Sequence, residues 1–226
     1  MLEGHIAKAY DGALSALHMR VLEMGGLALD QVRESVHAYT QWNPVSAQRV
    51  VERERMVNDY DSILDTEQLA LIARRNPVAS DLRIIIAIAK TAAELERIGD
   101  EATKIARNVL TADLRPAPPT CRDVAQLARL AMNQLRQGLE AFDRLEATLA
   151  AQVIHDDRLV DAEYAAALQR LRLRAVEPPL RIGAALDAAF VLKSLERIGD
   201  HARNLARHIQ AIGPRDAWLA ALSAKA

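Results

Sequence analysis

The 226-residue chain reads as all-α: two tandem repeated three-helix bundles, six long helices in all. Three observations predict this. First, Ala and Leu dominate, aromatics make up only 4 %, and glycine and proline number 9 and 8. That mixture favours helix and disfavours a β fold. Second, apolar residues recur at helical spacing over stretches of about 25–35 residues, where the globular mean is about 11–12. Third, Leu95-Glu96-Arg97-Ile98-Gly99-Asp100 returns letter for letter as Leu195-Glu196-Arg197-Ile198-Gly199-Asp200. Ala102, Ala106 and Arg107 also recur, as Ala202, Ala206 and Arg207. Repetition at this spacing marks two copies of one structural unit.

The first helix is expected from about Ile6 to Tyr39, with Leu14, Leu17, Val21, Met24, Ala28, Val32 and Val36 along one side. Gly25-Gly26 interrupts it and points to a bend or a close helix contact. Trp42-Asn43-Pro44 ends it; Asn43 can cap the second helix, and Pro44 suits the first position of that helix. The second helix runs to about Arg75. Asn76-Pro77 repeats the device and opens a third, from about Val78 to Leu110. Residues Thr111 to Pro119, with Pro116, Pro118 and Pro119, are the linker. Thr120, with Asp123 three residues on, resembles a capping box and starts the fourth helix, to about Glu146. Thr148 is the candidate cap of the fifth, to about Val176. Pro178-Pro179 breaks the chain before the sixth, from about Leu180 to Ile212, which Gly213-Pro214 stops. The expected organisation is a first bundle over 5–112, a linker over 113–119, a second bundle over 120–212 and a tail over 213–226. The tail's Trp218, Leu219 and Leu222 read as a frayed end rather than a docking segment. Long helices joined by short turns imply antiparallel neighbours, so the bundles lie end to end or side by side.

Charge and cysteine usage narrow the function. The 29 basic and 30 acidic residues give a formal net charge of −1 without a block of either sign, so nothing points to nucleic acid or an anionic membrane. The single cysteine, Cys121, rules out an internal disulfide and fits a reducing compartment. Residues 1–11 lack a signal-peptide pattern, and the apolar run Ile84–Ala89, bounded by Arg83 and Lys90, is too short to span a bilayer. A soluble cytoplasmic protein is expected.

The repeated motif carries two carboxylates four residues apart. On a helix that spacing puts Glu96 beside Asp100 and Glu196 beside Asp200. Like charges so placed repel by about 0.2–0.5 kcal/mol. Core stripes Ile98, Ala102, Ile105, Val109 and Ile198, Ala202, Leu205, Ile209 leave the acids on a different face. Gly99 and Gly199 sit mid-helix at a cost of about 1 kcal/mol relative to alanine. Something is expected to approach the backbone there: a helix, a subunit or a ligand. The simplest account of the acids is a solvated face, with Asp100 paired to Lys104 and Asp200 to Arg203. Yet the two copies keep the acids while Thr103 becomes Arg203 and Lys104 becomes Asn204. That favours a shared ligand, and hard carboxylate oxygens suit Mg²⁺, Mn²⁺ or iron. Asp157 and Asp161 on the fifth helix are candidates to complete the ligand set in the second half. The register of Val57 and Val160 places Glu54 and Asn58 opposite them in the first half.

The doubled LERIGD, the Met24-Gly25-Gly26 step and the Asn76-Pro77 to Leu82-Arg83 lead into the third helix resemble the PhoU family, over roughly residues 5 to 212. The resemblance implies two three-helix bundles, a homodimer, and a cytoplasmic protein that reaches the membrane only through its partners. Those partners would be the ATPase subunit of the phosphate ABC transporter and the phosphate sensor histidine kinase. The implied role is to couple transport to sensing and to repress the phosphate regulon when phosphate is plentiful. The resemblance also implies metal binding at E(D)-x-x-x-D motifs, as a divalent metal or iron cluster of iron, zinc, manganese or magnesium. The matching residues are Glu96, Asp100, Glu196, Asp200, Asp157 and Asp161; the Glu54/Asn58 pair departs from the pattern.

Three other functions are weighed against this one. A carboxylate-bridged di-iron enzyme needs Glu-x-x-His from two helices. The chain has Glu34-x-x-His37 once, and His201 next to Asp200 points to another face. A passive helical scaffold would use its acids only for solubility. Direct phosphate binding would draw on Arg97, Arg107, Arg197 and Arg207, but acids flank them and no Walker-type loop is present, so they read as salt-bridge partners.

Overall fold

A computed structural model of the chain describes residues 2–75, 77, 80–175 and 182–212. In order these form α1 (Leu2–Gln41), α2 (Pro44–Arg75), α3 (Ser80–Thr111), α4 (Pro118–Arg144), α5 (Ala147–Ala175) and α6 (Ile182–Gln210). No strand occurs among the described residues. Asn76, Pro178-Pro179, Gly213-Pro214 and the Trp218-Leu219-Leu222 tail lie outside them.

Local chemistry sets most boundaries. Asn43 Oδ1 accepts from the Ser46 N–H at 3.1 Å, the expected cap on α2. At the other side of the turn, Trp42 adopts φ 55° and the Asn43 N–H returns to the Ala38 carbonyl at 2.8 Å. The second repeat ends α4 the same way: Leu145 has φ 49° and the Glu146 N–H bonds the Ala141 carbonyl at 3.0 Å. Such six-to-one bonds satisfy carbonyls that a helix end would otherwise strand.

Several expectations about local structure are corrected. Thr148 does not cap α5 but lies inside it, its hydroxyl donating to Glu146 Oε1 at 2.8 Å. The Gly25-Gly26 pair does not interrupt α1, which runs through it. Of the two readings of the pair, the close contact holds: a Cβ on Gly25 would lie 2.4 Å from Leu139 Cδ2 of α4. Nor do Thr120 and Asp123 form a capping box. The helix begins earlier, at Pro118, with Ala117 as a cap that makes no side-chain bond. Proline has no N–H to strand at a first turn, so the linker's last prolines are helical. Asp123 instead joins two helices: it is 8 % exposed and ion-paired to Arg170, at 2.7 Å, and to Arg174, both on α5.

In each repeat all three helices touch one another, and the repeats meet through α3 on α6 and α1 on α4. The bundles therefore lie side by side, with α3 and α6 at the centre. The predicted stripes face inward: Ile98, Ala102, Ile105 and Val109, and likewise Ile198, Ala202, Leu205 and Ile209, are all buried. Tyr39 and Phe142 fill equivalent core positions at the ends of α1 and α4. Burying one such side chain stabilises the fold by about 1.5–3 kcal/mol.

The seam between α3 and α6 is polar in part. Buried Glu94 lies 2.7 Å from His201 Nδ1 and 3.5 Å from His208 Nε2. Buried Glu101 accepts from Arg197 at 2.8 Å and from Lys104 at 2.9 Å. Lys104 is thus the partner of Glu101, not of Asp100 as the i+4 spacing led one to expect. Glu101 is the deeper of the two acids, and its burial makes an unpaired charge there costly.

Candidate functional site

Each third helix turns its glutamate and aspartate toward the second helix of its own repeat. In the second repeat, α5 and α6 bring Asp157, Asp161 and Asp200 around one guanidinium. Arg203 bonds Asp200 at 2.7 Å and also Asp157, which is 6 % exposed. The α4 side chain Gln134 donates to Asp157 Oδ1 at 2.9 Å. Burial, then Asp157 and Asp200, raise the Asp161 carboxyl above its ordinary range, against the lowering pull of Arg203. Glu196 is held apart by Lys193 at 2.6 Å, whose ammonium also lies 5.5 Å from the centre of the Tyr164 ring.

The first repeat has the same frame and different occupants. Glu96 and Asp100 on α3 face Glu54 and Asp61 on α2. Burial, then Asp100, Asp61 and Glu54, raise the Glu96 carboxyl, and Arg97 only partly opposes them. Glu54 is paired with Arg107 at 2.7 Å. The position of Arg203 is Thr103, whose buried Oγ1 has no hydrogen-bond partner. The position of Gln134 is Gln31, 3 % exposed, with neither amide atom bonded.

The two glycines explain themselves here. A Cβ on Gly99 would sit 3.0 Å from Gln31 Oε1 and 3.4 Å from Val57 Cγ1. On Gly199 it would sit 2.9 Å from both Gln134 Oε1 and Val160 Cγ1. What approaches the backbone is a pair of neighbouring helices, one delivering a glutamine and the other a valine.

Sequence reading named six of the acids in these two frames and the Asp200–Arg203 pair, but not Asp61 on α2. It missed the reach of Arg203 to Asp157, the two glutamines, and the role of His201, which is buried against Glu94 across the seam. The glutamines carry a legible signal: Gln31 and Gln134 stand in matching frames, Leu27-Ala28 with Ala38 and Leu130-Ala131 with Ala141. Arg97, Arg107 and Arg197 do act as ion-pair partners, and Arg207 reaches Asn204 Oδ1 at 3.5 Å. A cavity of about 290 Å³ opens at the seam beside Phe190, but its cations Lys104, Lys193 and Arg197 are each already paired with a glutamate.

The PhoU domain family model matches the chain twice, over residues 21–109 and 124–209. The chain belongs to the PhoU family. Among curated PhoU relatives it is 40 % identical over 205 residues to the phosphate-specific transport system accessory protein PhoU homolog of Pseudomonas putida, covering 90 % of this chain and 80 % of that one. It is 34 % identical over 208 residues to the phosphate-specific transport system accessory protein PhoU of Escherichia coli K12, covering 92 % and 86 %. The crystal structure of PhoU from Pseudomonas aeruginosa superposes with TM-score 0.86 at 37 % identity, over 90 % of this chain and 98 % of that one. A Streptococcus pneumoniae PhoU structure matches in fold, with TM-score 0.82 at 24 % identity, over 90 % and 96 %. No helix among the described residues is long and apolar enough to cross a membrane.

The PhoU resemblance implies metal, and the two sites meet that implication differently. No three His, Cys, Asp or Glu side chains among the described residues stand close enough to hold an ion as they are. In the second repeat a guanidinium already bridges the carboxylates, so the residues do not fit a metal. In the first repeat Glu96 and Asp100 lack such a partner among the ion pairs of the described residues, and buried Thr103 and Gln31 have unused polar atoms nearby. There the two carboxylates Glu96 and Asp100 fit a hard cation that keeps most of its waters.

Proposed function

We propose that this chain regulates phosphate uptake by binding rather than by catalysis. It couples the phosphate ABC transporter, through its ATPase subunit, to the phosphate sensor histidine kinase, and it represses the phosphate regulon when phosphate is plentiful. It does so in the cytoplasm, as a homodimer, and meets the membrane only through these partners. The observation that carries the reading is the double PhoU match within a chain alike over nine-tenths of its length to named transport accessory proteins. The acidic faces of α3 and α6 form the recognition surface. Glu96 and Asp100 would hold a divalent or iron-type cation, which would supply charge neutralisation on the first face.

The test is direct binding of the purified ATPase subunit and of the kinase's cytoplasmic portion. Asp100→Asn/Asp200→Asn is expected to weaken binding by more than about tenfold, which is about 1.4 kcal/mol, with helical circular dichroism unchanged. Undiminished binding by the double variant would leave the acids as solubilising residues on a passive scaffold.

A further inference from the structure

The two acidic sites are copies of one frame, and they balance their charge differently. Glu54, Asn58, Glu96 and Asp100 correspond to Asp157, Asp161, Glu196 and Asp200. The cations do not correspond. Where the second repeat has Lys193 and Arg203, the first has Ala93 and Thr103.

Arg203 joins carboxylates on two helices, Asp157 on α5 and Asp200 on α6. That is the bridging a divalent cation would perform. A guanidinium does it with a planar fork of donors and keeps its charge at any physiological pH. It is also well enclosed, its side chain 22 % exposed against Asp157 at 9 %. A metal entering this site would have to displace Arg203 and leave a cation without its partners in a confined space. Lys193, bound to Glu196, adds further repulsion. The first repeat shows the reverse. The residue in the Arg203 position, Thr103, is fully buried with an unpartnered hydroxyl, and Gln31 beside Gly99 has an unpartnered amide. Unpartnered buried atoms do not by themselves separate the sites, since Gln134 Oε1 and Arg203 Nε of the second also lack partners; what separates them is the cation, which bridges two carboxylates in the second and is a neutral threonine in the first.

We propose that Arg203 is the resident cation of the second site and closes it to metal, so that the chain takes up metal through its first repeat alone. The uptake half rests on the first-site reading given above; the exclusion half does not.

The probe is Mn²⁺, a hard cation, with bound metal measured by electron paramagnetic resonance on the full chain and folding checked by circular dichroism. Arg203→Thr installs the first repeat's residue and is expected to bind more Mn²⁺ than wild type, with a melting temperature that rises as Mn²⁺ is added. Arg203→Thr/Asp200→Asn loses that gain. Arg203→Lys gains nothing, because the charge stays. Asp100→Asn lowers wild-type binding by more than about tenfold. A folded Arg203→Thr that gains no Mn²⁺ overturns the exclusion, as does wild-type Mn²⁺ that Asp200→Asn removes and Asp100→Asn leaves. If Arg203→Thr does not fold even with Mn²⁺ present, Thr103→Arg decides: the new guanidinium is expected to abolish binding in the first repeat, and retained binding overturns the proposal. A wild type that binds no Mn²⁺ refutes uptake by the first repeat, while the gain or its absence in Arg203→Thr still decides what Arg203 does.

Discussion

Gly99 and Gly199 occupy the same place in two copies, yet their neighbours differ in give. Gln31 Oε1 is the free end of a flexible side chain, so alanine at 99 needs only a small shift. The helix propensity gained from glycine to alanine, about 1 kcal/mol, then offsets the crowding. Gln134 is tied to Asp157, and Val160 is buried and β-branched, so alanine at 199 meets stiffer atoms at 2.9 Å. Gly199→Ala is expected to destabilise by about 1–3 kcal/mol and Gly99→Ala to be near neutral, read from urea midpoints. Equal effects would contradict this account of the two contacts. Both glycines were legible as close approaches, because a mid-helix glycine kept twice needs a reason. Which partner approaches was not legible, because a helix face seen in sequence does not reveal what packs on it. Glu94 makes the same point. Its charge was plain, but its pairing with His201 depends on α3 meeting α6. Burial alone would raise its carboxyl; the hydrogen bonds from His201 and His208 and the charges of His201 and Arg97 together outweigh burial and hold it at about 2. A carboxyl depressed in the folded state stabilises above the unfolded value, 4.5, and loses that contribution as pH falls toward 2. The stability gap between wild type and Glu94→Gln should therefore close as pH falls between about 4.5 and 2, measured by urea unfolding at each pH.

Among the elements, the turns were read best. Asn43-Pro44 combines a cap with a proline, and α2 starts there, so Asn43→Ala is expected to cost about 1 kcal/mol in chemical denaturation. The start of α4 was read less well, because Thr120 and Asp123 have the spacing of a capping box but sit inside the helix, which starts at Pro118. Asp123 instead clamps α4 to α5 through Arg170 and Arg174. At the matching place in the first repeat Arg20 of α1 pairs with Glu67 of α2 at 3.2 Å, the same bridge with its charges exchanged. The burial differs: Asp123 is buried, whereas Arg20 and Glu67 are more than a third exposed. Asp123→Ala should accordingly cost about 1–3 kcal/mol, and Glu67→Ala no more than about 1 kcal/mol. A repeat comparison by identity misses this pair, since it survives as a contact and not as letters.

At the scale of the whole molecule, sequence repetition foretold two three-helix bundles and the PhoU family, and both stand. It left open whether the bundles lie end to end or side by side, because the residues that decide it, on α3 and α6, look like ordinary surface charges. The side-by-side seam puts each LERIGD motif at the centre of the protein, with its acids aimed outward toward α2 or α5 and its neighbours Glu94, Glu101, Arg197 and His201 locking one repeat to the other. The acids of the LERIGD motif were legible because they came twice, and Asp157 and Asp161 because they stand four apart on the fifth helix. Their unequal fate was not, because Arg203 reaches across helices to an aspartate 46 positions away in the chain. The central claim is regulation of phosphate uptake, and a phosphate-regulon reporter in phosphate-rich medium tests it most directly, in the organism of origin with this gene deleted. The account predicts high expression in the deletion strain, returned to low by the wild-type gene but not by Asp100→Asn/Asp200→Asn. Low expression in the deletion strain, unchanged by restoring the gene, would contradict it.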